Sequence, residues 1–362
     1  MNDLRGENIL ITGGAGFIGT KLQKELASAQ QVVVVDNLHP QVHGFLPLPV
    51  VMAENATFHR GDIADPDIWG EVLSGFTPTM LIHLAAETGT GQSLTESARH
   101  SHTNVHGTAV MIDALHRASA LPNHVLLTSS RAVYGEGDWA EPSGQTFSAR
   151  PRDALALENA RWAPLGPAGQ RGKPMPNSAA RVSPRPTNIY AATKLAQENI
   201  LSSWCQSFQV PLSILRLQNV YGAGQALDNA YTGVLTYFAR QAASGETVEV
   251  YEDGGIIRDF VHVTDVVQAI LCALSAPPPA TQPRTLDIGS GTHGTLFAYA
   301  TQLAMAAGSP PPATSRRYRA GDVRSAFADV ECARREIGYK PVVPFREGLA
   351  DLMEWAHQGA SK

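Results

Sequence analysis

The sequence predicts an α/β protein: a doubly wound parallel sheet carrying a smaller C-terminal α/β lobe. Three observations point there. Apolar, β-branched runs alternate with segments of helical period over the first 130 residues. A glycine-rich turn lies between the first run and the first helical segment. The length, 362 residues, exceeds what one such sheet needs and leaves material for a second lobe.

The elements follow in order. Residues 8–12 (NILIT) read as a short buried strand, 17–29 as a helix and 31–36 (QVVVVD) as a second strand. Residues 80–84 and 124–128 are two more apolar runs that end on polar or small residues. Helical stretches at 65–74 and 93–118 lie among them. Strands alternating with helices demand right-handed crossovers and hence a parallel sheet. From 136 to 187 the chain turns rich in Pro, Gly, Ala and Arg, with no sustained period. It reads as a surface excursion, with a lid or a partner surface as the sharper alternative. A helix at 188–208 and a strand at 212–216 restore order. Mixed short elements follow, ending in an amphipathic helix at 346–357. The division expected is 1–216 for the sheet domain, insertion included, and 217–362 for the lobe, with some segments of the latter returning to the sheet.

Composition narrows the function. A net charge of −5 and a pI near 6.2 leave no overall footprint for nucleic acid or an anionic membrane. The three cysteines, Cys205, Cys272 and Cys332, are far apart and form no CxxC. Neither a zinc site nor a disulfide framework is expected, and a reducing compartment, the cytoplasm, fits. His83, His100, His102, His106 and His116 fall in one quarter of the chain, but without acidic companions at ligand spacing, so no metal is expected. The proline runs at 277–279 and 310–312 read as connections.

The turn after the first strand is Thr12-Gly13-Gly14-Ala15-Gly16-Phe17-Ile18-Gly19. Gly13 permits a tight turn, Gly16 lets backbone approach a pyrophosphate, and Gly19 lets helix pack close to strand. Asp36 ends the second strand, where a carboxylate accepts hydrogen bonds from ribose hydroxyls. It would repel a 2′-phosphate by about 4 kcal/mol per unit charge at ~4 Å and an effective dielectric near 20. No arginine follows Asp36, so NAD is expected over NADP. Downstream, Tyr190 and Lys194 stand at i and i+4 on one helix face. Half-ionising a tyrosine at pH 7 takes about 4 kcal/mol, and a lysine one turn away plus a positive nicotinamide ring could supply it. Thr128-Ser129-Ser130 close the strand that begins at His124, at the carboxyl end where open α/β sheets bind ligands, and Ser130 can hydrogen-bond a substrate hydroxyl there.

With these residues in place, the sequence resembles the extended short-chain dehydrogenase/reductases, the NAD-dependent nucleotide-sugar epimerases and dehydratases on a Rossmann sheet. The resemblance runs from Thr12 to Asp329. It rests on TGGAGFIG, Asp36, GDI at 61–63, HLAAET at 83–88, TSSRAVYG at 128–135, YAATK at 190–194, RLQNVYGAGQ at 216–225, RDFVHV at 258–263 and RAGDVR at 319–324. It implies that Ser130, Tyr190 and Lys194 are the catalytic residues. It implies a cofactor site in which the turn, Phe17 and Ile18 included, is joined by Asp36 and Asn37. Asp62 and Ile63 would meet the adenine, and Leu84, Ala85 and Ala86 would line the dinucleotide at a strand end. Asn104 would help to seat the cofactor, with Tyr190 and Lys194 touching it as well. Thr88 and Ser130 would face the sugar. Asn219, Arg258, Arg319 and Asp322 would meet the nucleotide diphosphate, the two arginines answering its charge.

The informative departure is Arg131-Ala132, directly after Ser130. The 4,6-dehydratases of this family carry Asp-Glu there; this chain has neither carboxylate. What remains suffices to oxidise an alcohol and reduce it back, which is 4-epimerase chemistry. The stretches ETGTGQS, SSRAVYGEG and RLQNVYGAGQ, the last followed by NAYTGVL at 229–235, resemble the dTDP-L-rhamnose 4-epimerase-type branch, beside the UDP-galactose 4-epimerase-like one. The same residues would serve a net NAD-dependent sugar dehydrogenase or 4-ketoreductase. A non-catalytic dinucleotide-binding protein is the reading from another class, disfavoured by an intact Tyr190/Lys194 pair. In the family, helices corresponding to 93–118 and 188–208 pair across a homodimer, which is therefore expected here.

Overall fold

The computed structural model describes residues 4–43, 52–227 and 233–360. Part of the stretch NAYTGVL, Asn229 to Thr232, lies outside them. Seven parallel strands form one sheet: β1 Asn8–Thr12, β2 Gln31–Asp36, β3 Ala56–Arg60, β4 Met80–His83, β5 His124–Ser130, β6 Leu212–Leu217 and β7 Arg284–Ile288. Their spatial order is β7-β6-β5-β4-β1-β2-β3. The order reverses between β1 and β4, which pair directly, Thr12 opposite His83. A crevice at that reversal, outside the carboxyl ends of the strands, is where an open sheet of this kind takes ligands.

Both faces of the sheet are covered, which is why its strands read as unbroken apolar runs. Successive side chains point to opposite faces. Leu10, Val33, Val35, Leu81, Val125 and Leu127 pack with Trp69, Met111, Leu115 and Leu201 on one side. Ile9, Ile11, Val32, Val34, Ile82 and Leu126 pack with Leu22, Leu26, Val266 and Ile270 on the other. A separate core holds the smaller lobe together, with Leu235, Phe238, Val248, Phe260, Leu303 and Leu352 at its centre. The lobe is not a simple continuation of the chain. Helix Val263–Ser275 packs its Val266 and Ile270 on the sheet, and β7 supplies the sheet's last strand.

Two stretches differ from the pattern expected. The run 93–118 is not one α-helix: a 3-10 turn at Gln92–Leu94 and helix Ser97–Ser101 lead into a π segment, His102–Gly107, before helix Thr108–Arg117. Within that wide turn Gly107 lies so close to Ile63 that a Cβ would fall 2.8 Å from its Cγ1. The stretch 136–187 is ordered. Asp138–Ala140 pairs antiparallel with Thr146–Ser148 and with Lys173–Pro174, and a short helix, Ala154–Glu158, is capped by Asp153. Strands of two or three residues are too short to show a period, so composition alone described this segment as an excursion. Arg152 fastens it from within, 3.0 Å from Glu136 and 2.7 Å from Glu252 of the lobe. Among the described residues no helix is long and apolar enough to cross a membrane.

Candidate active site

A cavity of about 750 Å³ opens at the carboxyl ends of β1, β4 and β5 and runs toward the smaller lobe. The glycine turn forms its floor. Gly13 has φ +70°, and a Cβ there would lie 2.6 Å from the Ala85 nitrogen; a Cβ on Gly19 would lie 2.3 Å from the Gly14 oxygen. Neither position tolerates a side chain, so the turn is pressed against both the end of β4 and its own helix. That helix, Phe17–Glu25, begins with no side-chain cap and no acidic residue in its first turn, leaving its N–H groups for a ligand. Asp36 accepts hydrogen bonds from Ala15 N (3.0 Å) and Leu38 N (2.9 Å), which aim its carboxylate at the rim of the cavity. Asp62 is held likewise by Ala64 N at 2.9 Å, with the Asn37 amide 3.3 Å from its other oxygen. A Cβ-free cradle, an uncapped helix and a fixed carboxylate are what a dinucleotide needs, so these residues fit NAD.

Phe17, Ile18, Ile63, Leu84, Ala85 and Ala86 line the same cavity, as do Thr88 and the pair Tyr190 and Lys194. Asn104 does not. It is fully buried behind the wall, where its side chain takes the Glu87 N–H (2.8 Å) and donates to the Glu87 carbonyl (3.0 Å) and to Thr193 (2.9 Å). It thus ties the loop after β4 to the helix bearing Tyr190, and any influence on a cofactor runs through that loop.

Ser130 sits at the end of β5, its hydroxyl accepting from Ala132 N (3.1 Å) and near enough to Tyr190 to favour the ionised phenol. Helix Ile189–Phe208 presents Tyr190 and Lys194, its first turn capped by Asn188. Burial pushes the Tyr190 hydroxyl above its ordinary value, while the Ser130 hydroxyl and the charge of Arg131 pull the other way. The sequence assigned that pull to Lys194. In the structure the Lys194 ammonium is instead turned to Gln197 Oε1, and burial brings its own value down to about 7 against the opposing pull of Glu198.

Behind Lys194 lies a buried network that the sequence did not suggest. Gln197 donates to His83 Nε2 (3.0 Å), and His83 Nδ1 is 2.6 Å from the Thr12 hydroxyl. His83 is thereby held neutral, pushed down to about 3 by burial first and by the Lys194 charge second. Burial and Arg284 bring His124 down to about 4. In the unfolded chain both take up a proton near pH 6.5. Their contribution to stability is therefore full above that value and lost as pH falls toward 3–4. Histidine ring resonances recorded between pH 7.5 and 5 should show no titration of His83 or His124; a midpoint near 6.5 for His83 would contradict this network.

The far wall belongs to the lobe. Asn219, Arg258, Arg319 and Asp322 all line the cavity. Arg258 donates to Asp322 (2.8 Å) and to the carbonyls of Val323 (2.9 Å) and Ile257 (2.8 Å), while Asn219 leaves a buried Oδ1 without a partner. The guanidinium of Arg319 stands over the Tyr251 ring, 5.3 Å from its centroid. Tyr251, Arg317, Glu252, His39 and His43 also line the cavity and escaped sequence reasoning. Glu252 adopts φ +58° with its carboxylate between Arg152 and Arg324 (2.6 Å), a conformation that no residue pattern announces.

Comparison with known proteins agrees with this geometry. The model of the NAD dependent epimerase/dehydratase family matches residues 9–156 and 166–289. A dTDP-L-rhamnose 4-epimerase of Burkholderia thailandensis is 44% identical over 98% of this chain and 96% of its own. A UDP-glucose 4-epimerase of Thermotoga maritima, solved with UDP-glucose, superposes with a TM-score of 0.79 at 27% identity, covering 97% and 99% of the two chains. A UDP-glucose 4-epimerase of Thermus thermophilus, solved with NAD, gives 0.74 at 26% identity over 96% and 98%.

Proposed function

The chain belongs to the NAD-dependent epimerase/dehydratase family, and from that premise we propose that it is a nucleotide-sugar 4-epimerase acting on a dTDP- or UDP-linked hexose, with dTDP-L-rhamnose the first substrate to test. The observation that carries this is the make-up of the cavity. One side has a glycine cradle with Asp36, the middle has Ser130 beside Tyr190 and Lys194, and no carboxylate stands at 131 or 132 to remove a 6-substituent. The glycine turn, Asp36 and Asp62 would hold the cofactor. When bound, NAD supplies a hydride acceptor that gives the same hydride back, so it is regenerated in every turnover. Ser130 orients the C4 hydroxyl, and Tyr190 takes its proton and later returns it. Lys194 is near its own titration point at neutral pH, and its hydrogen bond to Gln197 Oε1 fixes the side chain one turn from Tyr190. Arg258, Arg319 and Asn219 grip the diphosphate while the ketone turns over, so that binding energy is concentrated on the end of the substrate that does not react.

The cysteines, all free, support a cytoplasmic setting. The half-buried Ile200 and Trp204 with the exposed Phe208, on one face of the Tyr190 helix, support a homodimer through that helix. The chemistry is tested with dTDP-L-rhamnose deuterated at C4 and no added NAD. The product should be the 4-epimer with deuterium retained at C4. Label lost to solvent would indicate epimerisation at C3 or C5, and stoichiometric NADH would indicate a net dehydrogenase.

A further inference from the structure

Arg131 stands apart from the other arginines of the cavity wall. Arg152 and Arg324 share Glu252, and Arg258 has Asp322. Among the described residues the Arg131 guanidinium makes no hydrogen bond and no ion pair, although it lines the cavity directly after Ser130. The turn that carries it, Arg131–Tyr134, is rigid: its next three residues are buried, and Tyr134 donates to Asp287 at 2.7 Å. Of the groups whose charge reaches Arg131, Arg258 repels it, while Asp322, Tyr190 and Glu136 attract it. Asp322 is taken by Arg258, and Glu136 is held by Arg152 and by Arg324 N (2.9 Å). Arg131 and Arg258 repel each other, and Asp322, which offsets both, is already bonded to Arg258, so an anion in the cavity would relieve the excess positive charge.

Arg319 is the second cation of this wall without a carboxylate, resting on Tyr251. Two such guanidiniums match the two negative charges of a sugar-linked diphosphate. Arg131 is the one beside Ser130 and Tyr190, at the reacting end. We propose that Arg131 binds the phosphate attached to the sugar, a specificity contact made by the residue that replaces a dehydration acid. The inference rests on the nucleotide-sugar reading above.

The test uses the NAD-loaded enzyme and two competitors, dTDP and dTMP, which differ by the sugar-side phosphate. Losing a charge-assisted hydrogen-bond pair weakens binding by about 10- to 100-fold. Arg131→Met should weaken dTDP by that factor and leave dTMP within about twofold, and Arg131→Lys should recover part of the loss. In turnover, KM should rise; kcat should fall as well, because the Arg131 charge also pulls the Tyr190 hydroxyl down, so the comparison of dTDP with dTMP carries the test. Bound NAD content and circular dichroism report folding for each variant. Equal losses for dTDP and dTMP, or an unchanged dTDP affinity, would overturn the proposal. A wild-type enzyme that binds neither dTDP nor UDP would instead defeat the nucleotide-sugar reading beneath it.

Discussion

Tyr190→Phe should fold normally, keep its bound NAD and lose turnover by about 10²- to 10⁴-fold, the range for removing a general acid/base. The substitution deletes one oxygen, which faces the cavity beside Ser130. The backbone around it is secured independently: Asn188 Oδ1 accepts from Ala191 N at 2.9 Å, and the Thr193 hydroxyl donates to the Tyr190 carbonyl at 2.9 Å. Nothing that positions the glycine turn or Asp36 passes through the phenol. The loss should fall mainly on kcat, since the diphosphate wall is untouched. Steady-state rates, read beside NAD content and thermal melting, check this. A variant within tenfold of the wild-type rate would remove Tyr190 from the mechanism.

The second large effect is on stability. Glu198→Ala should cost about 3–5 kcal/mol, because it leaves a buried charge uncompensated. Glu198 takes both Nε (3.0 Å) and Nη2 (2.7 Å) of Arg216, and the Ser129 hydroxyl donates to it at 2.5 Å. Arg216 lies on β6, buried, with its guanidinium over the Tyr134 ring, 4.8 Å from the centroid. The same carboxylate opposes the downward pull of burial on Lys194, so its loss should also reduce the charge of Lys194. The exposed pair Arg334–Glu331 is the contrast: Glu331→Ala should change stability by less than about 1 kcal/mol. Urea unfolding of the two variants against wild type separates these cases. A Glu198→Ala loss no larger than that of Glu331→Ala would show that Arg216 finds solvent or another partner.

What the sequence determined by itself is whatever local pattern encodes. Doubly covered parallel strands must be continuous apolar runs, so β1, β2, β4 and β5 were visible from residue type alone. A pyrophosphate turn must have glycine where Gly13 and Gly19 stand, because Cβ atoms would strike Ala85 and Gly14. Tyr190 and Lys194 were legible because four residues make one helical turn. Tertiary structure decided everything that depends on which distant groups meet. The pairing of Glu198 with Arg216, the neutral His83 behind Lys194 and the turning of Lys194 toward Gln197 join separate elements, and no spacing records them. Asn104 reads like a cavity residue but lies behind the wall. The segment 136–187 looked featureless because its strands are shorter than any period, yet Arg152 anchors it against Glu252 and Asp322. Charge shows the difference most clearly. Residue type states that Arg131 is a cation, but whether a cation is neutralised or left for a ligand depends on the carboxylates that folding brings beside it.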